Sequence, residues 1–275
     1  MLVALIMLII GFFTAFVGSI AGIGGGTILV PSMLFLHNIS DAFEWATPQK
    51  IVGISVVVMI FTGLSSTIAY WKSRRIDYKT GLIFLVGCLP GGVFGSWFNQ
   101  FVEKDLFSIA FGALMIVISL LFFLPRPKRS EPSTEEKKLH IQRSFTLNET
   151  TYHYQIPVIG GFFMAFFVGS LSGLFGIGGG SLMVPAMILL FGLPAHVATA
   201  TSMFIIFFLS ISSSSTHILL GHVPWIYTLC FIPGAWIGGT MGAKVNQRMN
   251  GKTVEWILRI ILILIGIRLI WDGIR

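Results

Sequence analysis

The chain repeats one unusual segment. Residues 11–36 read GFFTAFVGSIAGIGGGTILVPSMLFL, and residues 161–190 read GFFMAFFVGSLSGLFGIGGGSLMVPAMILL. Each is a long apolar run broken by Ile-Gly-Gly-Gly, then a hydroxyl residue, three apolar residues and a proline. Runs this apolar belong in a bilayer, where irregular backbone is tolerated only against protein or a polar cavity. A duplicated, glycine-interrupted hydrophobic segment is the mark of a secondary-transporter binding site built from two related halves.

The composition agrees. Hydrophobic residues make up 55% of the chain and charged residues 11%, which excludes an ordinary soluble domain. Apolar stretches near Leu2–Ile23, Ile51–Trp71, Gly81–Phe98, Leu106–Leu124, Ile156–Phe175, Val197–Leu220, Trp225–Met241 and Val254–Trp271 are of spanning length or close to it. Two shorter runs, Thr27–Leu36 and Ser181–Gly192, follow the glycine motifs as short spans or re-entrant segments. The expected fold is an all-α integral membrane protein of about ten hydrophobic helical elements in two repeats of roughly five. The first repeat is expected over 1–124, a cytoplasmic linker over 125–155 and the second repeat over 156–275. The first residues lack the basic region and cleavage site of a signal peptide and read as part of repeat one.

The net charge of +7 is carried in short loops. Bases cluster at Lys72, Arg74, Arg75 and Lys79, through the Pro125–Gln155 stretch, and at Lys244, Arg248 and Lys252. This is the positive-inside pattern. A nucleic-acid groove would need a soluble basic fold, and none is visible. With the first two clusters in the cytoplasm, the third falls there too only if the halves are inverted, with both termini outside. The inverted arrangement is therefore expected.

The repeat continues beyond the glycines. Ser55 matches Ser202, Gly91-Gly92 matches Gly238-Gly239, and Asn99-Gln100 matches Asn246-Gln247, all in one register. The candidate substrate-binding residues are Gly24, Gly25, Gly26 and Thr27 with Ser55 in half one, and Gly178, Gly179, Gly180 and Ser181 with Ser202 in half two. Glycine admits positive φ, successive amides form an anion nest, and the helix that follows points its positive end at the break. The alternative is close helix packing around a turn. Pro31 and Pro185 are candidate gating positions. Thr199, Ser202, Ile206, Ser210, Ser213 and His217 share one helix face, either as a polar path or as small residues that let helices approach. His217 is a candidate proton relay or a packing histidine. Gly87, Gly91 and Gly95, like Gly234, Gly238 and Gly242, read as packing ridges, and the Asn-Gln pairs as helix-end hydrogen bonders.

No span carries Asp or Glu near its centre, which favours a small anion over a cation as cargo. His196 and His217 lack partner acids for a metal site. Cys88 and Cys230 occupy unmatched apolar positions and read as small hydrophobes. No nucleophile–base pair, metalloprotease motif or nucleotide loop points to an enzyme.

On GSIAGIGGGTILVP from Gly18 and SGLFGIGGGSLMVP from Ser172, with the duplicated Ser and Gly-Gly elements, the chain resembles the TauE/SafE family of permeases, the sulfite exporter family. The resemblance covers nearly everything outside the linker. It implies a multi-pass plasma (inner) membrane permease for sulfite, an organosulfonate or a related sulfur-containing anion, with no cofactor. The expected partners are the anion and the lipid bilayer, and self-association as a homo-oligomer is compatible with the chain. A metal-cation permease and a non-transporting structural membrane protein are the rival readings. Motif one lacks an evident counterpart of Leu174-Phe175-Gly176, and half one has extra residues, Asp41 and Glu44 among them, before its third helix.

Overall fold

The computed structural model describes residues 2–121, 140–147 and 150–249, and beyond them the helical positions Thr253, Trp256, Ile260, Ile263, Leu264 and Ile267. Half one contains α1 (Leu2–Ala21), α2 (Gly26–Ile39), α3 (Pro48–Lys72), α4 (Tyr78–Phe98) and α5 (Lys104–Leu121). A hairpin follows, β1 (His140–Leu147) and β2 (Thr150–Pro157), and then α6 (Val158–Phe175), α7 (Gly180–Leu189), α8 (Ala195–Leu219) and α9 (Trp225–Asn246). Among the described residues, five helices are long and apolar enough to cross a membrane: Val3–Ala21, Pro48–Lys72, Tyr78–Phe101, Val158–Phe175 and Ala195–Leu219. α9 matches them in length at 22 residues, but its glycines and threonines dilute its hydropathy. At 1.5 Å per residue, the 14 residues of α2 and the 10 of α7 reach only about 21 and 15 Å, short of a roughly 30 Å hydrocarbon layer. Most of the expected Val254–Trp271 helix, with Lys252, lies outside the described residues.

The stretch read as a linker carries structure. β1 and β2 pair antiparallel, with Arg143 opposite Tyr154 and Leu147 opposite Thr150. Tyr154 and Ile156 alternate with more exposed residues and are buried. The hairpin is fastened to the α3–α4 loop through Asp77, which caps α4 by accepting from the Thr80 amide and hydroxyl. Asp77 also accepts from the Tyr154 hydroxyl and from Arg143, whose guanidinium lies 3.1 Å away. The remainder of 125–155 lies outside the described residues.

α3 and α8 form the centre. Of their apolar windows 78% and 67% are buried, against 39% in α1 and α6. The other helices attach through glycine ridges. On α4, Gly87, Gly91 and Gly95 lie against the backbone at Phe162, Phe166 and Ser170 of α6. On α9, Gly234, Gly238 and Gly242 lie likewise against Leu8, Phe12 and Phe16 of α1. A β-carbon at any of these glycines would collide with a carbonyl oxygen, so the small residue sets the approach. The ascending order of both contact series makes α4 parallel to α6 and α9 parallel to α1. By contrast Gly53 of α3 meets His222, just past α8, and Gly63 meets Phe207, so α3 and α8 run in opposite directions.

The loops therefore segregate. Lys72, Arg74, Arg75, Lys79, Arg143, Lys244 and Arg248 gather at the end of the bundle where α3 ends and α8 begins. The α8–α9 loop, without Lys or Arg, lies at the opposite end, where the ring of Trp45 stacks on Tyr227 at 3.8 Å.

Candidate functional site

Both helices that open the halves end in the same backbone turn. α1 stops at Gly22 (φ 76°), and Gly24 and Gly25 follow at 85° and 86°. α6 stops at Gly176 (67°), followed by Gly178 and Gly179 at 77° and 70°. These left-handed values strain any residue with a β-carbon. Gly22 is thus the counterpart of Gly176, and the gap read between the two motifs is corrected: the extra residues of half two fall within α6, ahead of the break. Gly26 and Gly180 have ordinary φ and are required by packing. Gly26 lies on the Gly176 carbonyl and Gly180 on the Gly22 carbonyl, with no room for a side chain. The two breaks face each other across the interface of the halves.

Helix ends leave carbonyls without intrahelical partners, and here the other half supplies donors. Ser55 Oγ donates to Gly176 O at 2.7 Å, and Ser202 Oγ donates to Gly22 O. Asn99 Nδ2 donates to Leu174 O at 2.7 Å, and Asn246 Nδ2 to Ile20 O at 2.6 Å. The helix-end role expected for the asparagines is what they perform, across the halves. Within each half, Tyr70 Oη donates to Ser19 O at 2.8 Å and His217 Nε2 to Gly173 O at 3.2 Å. Ser55 and Ser202, expected to touch the substrate, thus spend their protons on the backbone of the breaks.

The free groups lie one step further on. α2 and α7 begin at Gly26 and Gly180, and neither has a side-chain cap. The first intrahelical bonds of α2 are those of Ile28 and Leu29 to Gly25 O, and those of α7 run from Leu182 and Met183 to Gly179 O. Thr27 Oγ1 and Ser181 Oγ are completely buried and have no hydrogen-bond partner. Pro31 and Pro185 stand four residues beyond them. Proline has no amide, so the carbonyls of Thr27 and Ser181 also lose their ordinary helical donors. Those carbonyls point along the helix axis, away from the break, so the break itself presents helix-start amides and one hydroxyl. Such a set suits a small oxyanion and supplies no charge of its own.

Met59 and Ile206 close this face. Midway along the 25-residue helices α3 and α8, they contact both Gly24 and Gly178. The residues missed in the sequence, Gly22, Gly176 and Met59, share one available signal: each stands at a position matched in the other half.

The polar face of α8 continues from there. Thr199, Ser210 and Ser213 are buried with unpartnered hydroxyls. The face ends at His217, fully buried, whose Nδ1 lies 3.1 Å from His222 Nδ1. The Gly173 carbonyl can only accept, so neutral His217 carries its proton on Nε2 and accepts at Nδ1 from His222. Burial pushes the His222 imidazole below its ordinary pKa.

The chain matches the family described as Sulfite exporter TauE/SafE over residues 7–269. It is 47% identical over 269 residues to the probable membrane transporter protein YunE of Bacillus subtilis, covering 98% of each chain. It is 26% identical over 275 residues to the probable membrane transporter protein MJ0441 of Methanocaldococcus jannaschii, covering 95% of this chain and 93% of that one. Sulfite exporter TauE/SafE family protein 6 of Arabidopsis thaliana is 34% identical over 137 residues, which is 50% of this chain and 30% of that protein. No solved structure matches the chain.

Proposed function

The chain belongs to the sulfite exporter TauE/SafE family, multi-pass membrane transporters rather than enzymes, and we propose that it carries a small sulfur-containing oxyanion, sulfite or an organosulfonate, across the plasma membrane. The observation that carries this reading is the pair of buried, unpartnered hydroxyls, Thr27 and Ser181, at the facing starts of α2 and α7. A buried hydroxyl without a partner is costly, and two at matched positions beside free amides suit a ligand that accepts hydrogen bonds. The substrate would lie between Gly24–Thr27 and Gly178–Ser181, with Ser55 and Ser202 holding the breaks in shape.

Two inverted repeats form the frame of this reading. The antiparallel course of α3 and α8, and the position of the basic loops at one end, support it. Met59 and Ile206 would then close an occluded state, and rocking of one half against the other, with Pro31 and Pro185 loosening α2 and α7, would open each side in turn. His217, bonded to His222, would relay a proton with the anion in this reading. A metal-cation permease is less well supported, because among the described residues no three His, Cys, Asp or Glu side chains converge.

The test is thermal stability of the solubilised protein against sulfite, thiosulfate, sulfate, sulfonates and carboxylates. Binding to the folded state raises apparent stability by mass action. A shift with one sulfur oxyanion supports the reading. Stabilisation by divalent cations alone would move the assignment to the cation class.

A further inference from the structure

The α3–α4 loop holds a guanidinium, Arg75, that no carboxylate among the described residues neutralises. Arg75 Nη2 donates to Gln247 O, just past the end of α9, at 3.0 Å. Its Nη1 is buried and has no partner. The one carboxylate of the loop, Asp77, is taken up by Arg143, Tyr154 and Thr80. Among the described residues, the other close titratable neighbours of Arg75 are Tyr70 and His196. His196, at the start of α8, lies within the field of Arg75 and turns Nδ1 toward Asn246 Oδ1 at 3.3 Å. Burial lowers the Arg75 pKa, the neighbouring Tyr70 opposing the shift, yet a guanidinium stays charged under all working conditions.

The backbone is arranged to aim this side chain. Arg74 takes a left-handed φ of 53°, the one positive φ outside glycine among the described residues. Arg74 is exposed while Arg75, the next residue, turns inward. The Arg75 amide returns to Tyr70 O, and the Tyr70 hydroxyl holds Ser19 O, close to the Gly22 break. Arg75 therefore sits between the basic surface and the buried breaks.

We propose that Arg75 is an oxyanion-binding subsite at the basic end of the bundle, where a sulfite- or sulfonate-like solute is held on its way to or from the glycine breaks. A buried N–H of a charged group with no acceptor is expensive unless a ligand supplies one. The planar guanidinium, with one nitrogen anchored and the other free, is suited to a planar or tetrahedral oxyanion. The corresponding position of half two is His222, so the permanent charge stands at one end only. This inference rests on the anion reading above.

The test compares the whole protein, Arg75→Gln and Arg75→Lys in nanodiscs, titrated with sulfite, sulfate and an alkylsulfonate. The melting temperature without anion is recorded for each. In phosphatidylcholine discs, the expected result is an apparent affinity at least tenfold weaker in Arg75→Gln, partly recovered in Arg75→Lys, with unliganded melting unchanged in the lysine variant. Equal affinity in all three proteins overturns the subsite. So does a lower melting temperature in both variants with unaltered affinity, which would make Arg75 a cap for α9. Phosphatidylglycerol discs separate the sources: stabilisation by that lipid which sulfite does not compete away assigns the guanidinium to lipid phosphate and overturns the solute assignment. If no anion binds the unaltered protein while it binds another class of solute, the anion reading itself fails and this inference with it.

Discussion

Ser55 of α3 donates its hydroxyl to the carbonyl of Gly176, 2.7 Å away and in the other half of the chain. Ser202 of α8 makes the reciprocal bond to Gly22. Each central helix thus holds open the break of the opposite half. The duplicated serines are the geometric link between two motifs that would otherwise only be neighbours.

That relationship predicts a stability effect. Ser55→Ala leaves the buried Gly176 carbonyl without its donor, at a cost of about 1–3 kcal/mol. Ser55→Thr keeps a donor and should retain more stability than alanine, although its extra methyl must fit a fully buried position. Thermal unfolding in detergent measures both. An alanine variant as stable as the original protein would remove the bond from the account of the break.

Gly25→Val and Gly179→Val should insert and be recovered from the membrane but should not transport. At φ values of 86° and 70° valine is strained whatever the space around it. At Gly25 a β-carbon would also stand 2.8 Å from Thr14 O, and at Gly179 it would stand 3.0 Å from Leu209 Cδ2. By contrast Gly192→Ala has nothing within 4 Å to collide with. Its strain is confined to a loop, so transport should survive. Substrate flux in proteoliposomes separates these outcomes, and flux retained in both valine variants would detach the breaks from the mechanism.

The breaks, the glycine ridges and the register of the repeat were legible in the sequence because each is a local backbone constraint that only glycine or proline satisfies. The bonds of Ser55 and Ser202 to the opposite half were not, because a hydroxyl's partner depends on which carbonyls another helix leaves free. Gly176 looked like surplus sequence beside motif one. The shared Gly-Ile-Gly-Gly-Gly run offered the match, and the dihedral angle and the serine bond establish Gly22 as its counterpart. The hairpin was hidden for a different reason. Alternation through Tyr152, Tyr154 and Ile156 is short, and the polar composition of the stretch obscured it.

Stability should fall on mild acidification. The folded pKa of His222 is depressed by burial, so its contribution is fully present above the unfolded value of about 6.5. It is lost as the pH falls through that value toward the folded pKa, because the unfolded chain takes up the proton first. His222→Asn keeps a donor for His217 Nδ1 and cannot titrate. Its melting temperature should therefore depend less on pH between 7.5 and 5 than that of the unaltered protein. Superimposable pH profiles would show that His222 contributes nothing to the acid response.

The sharpest discrimination comes from Thr27 and Ser181. A structural hydroxyl stabilises the fold through a bond, but these two have no partner in the folded protein. Thr27→Val preserves the shape of the side chain and removes an unsatisfied polar atom, so it should leave stability unchanged or raise it. Ser181→Ala should do the same. If the hydroxyls donate to a bound anion, each variant should nonetheless weaken binding by about tenfold, since one lost hydrogen bond to a charged ligand is worth about 1.4 kcal/mol or more. The double variant should weaken it further. Stability and affinity then move in opposite directions, which neither a packing role nor a global fault produces. Loss of stability with unchanged affinity would instead show that the hydroxyls serve the fold and that the ligand is held elsewhere.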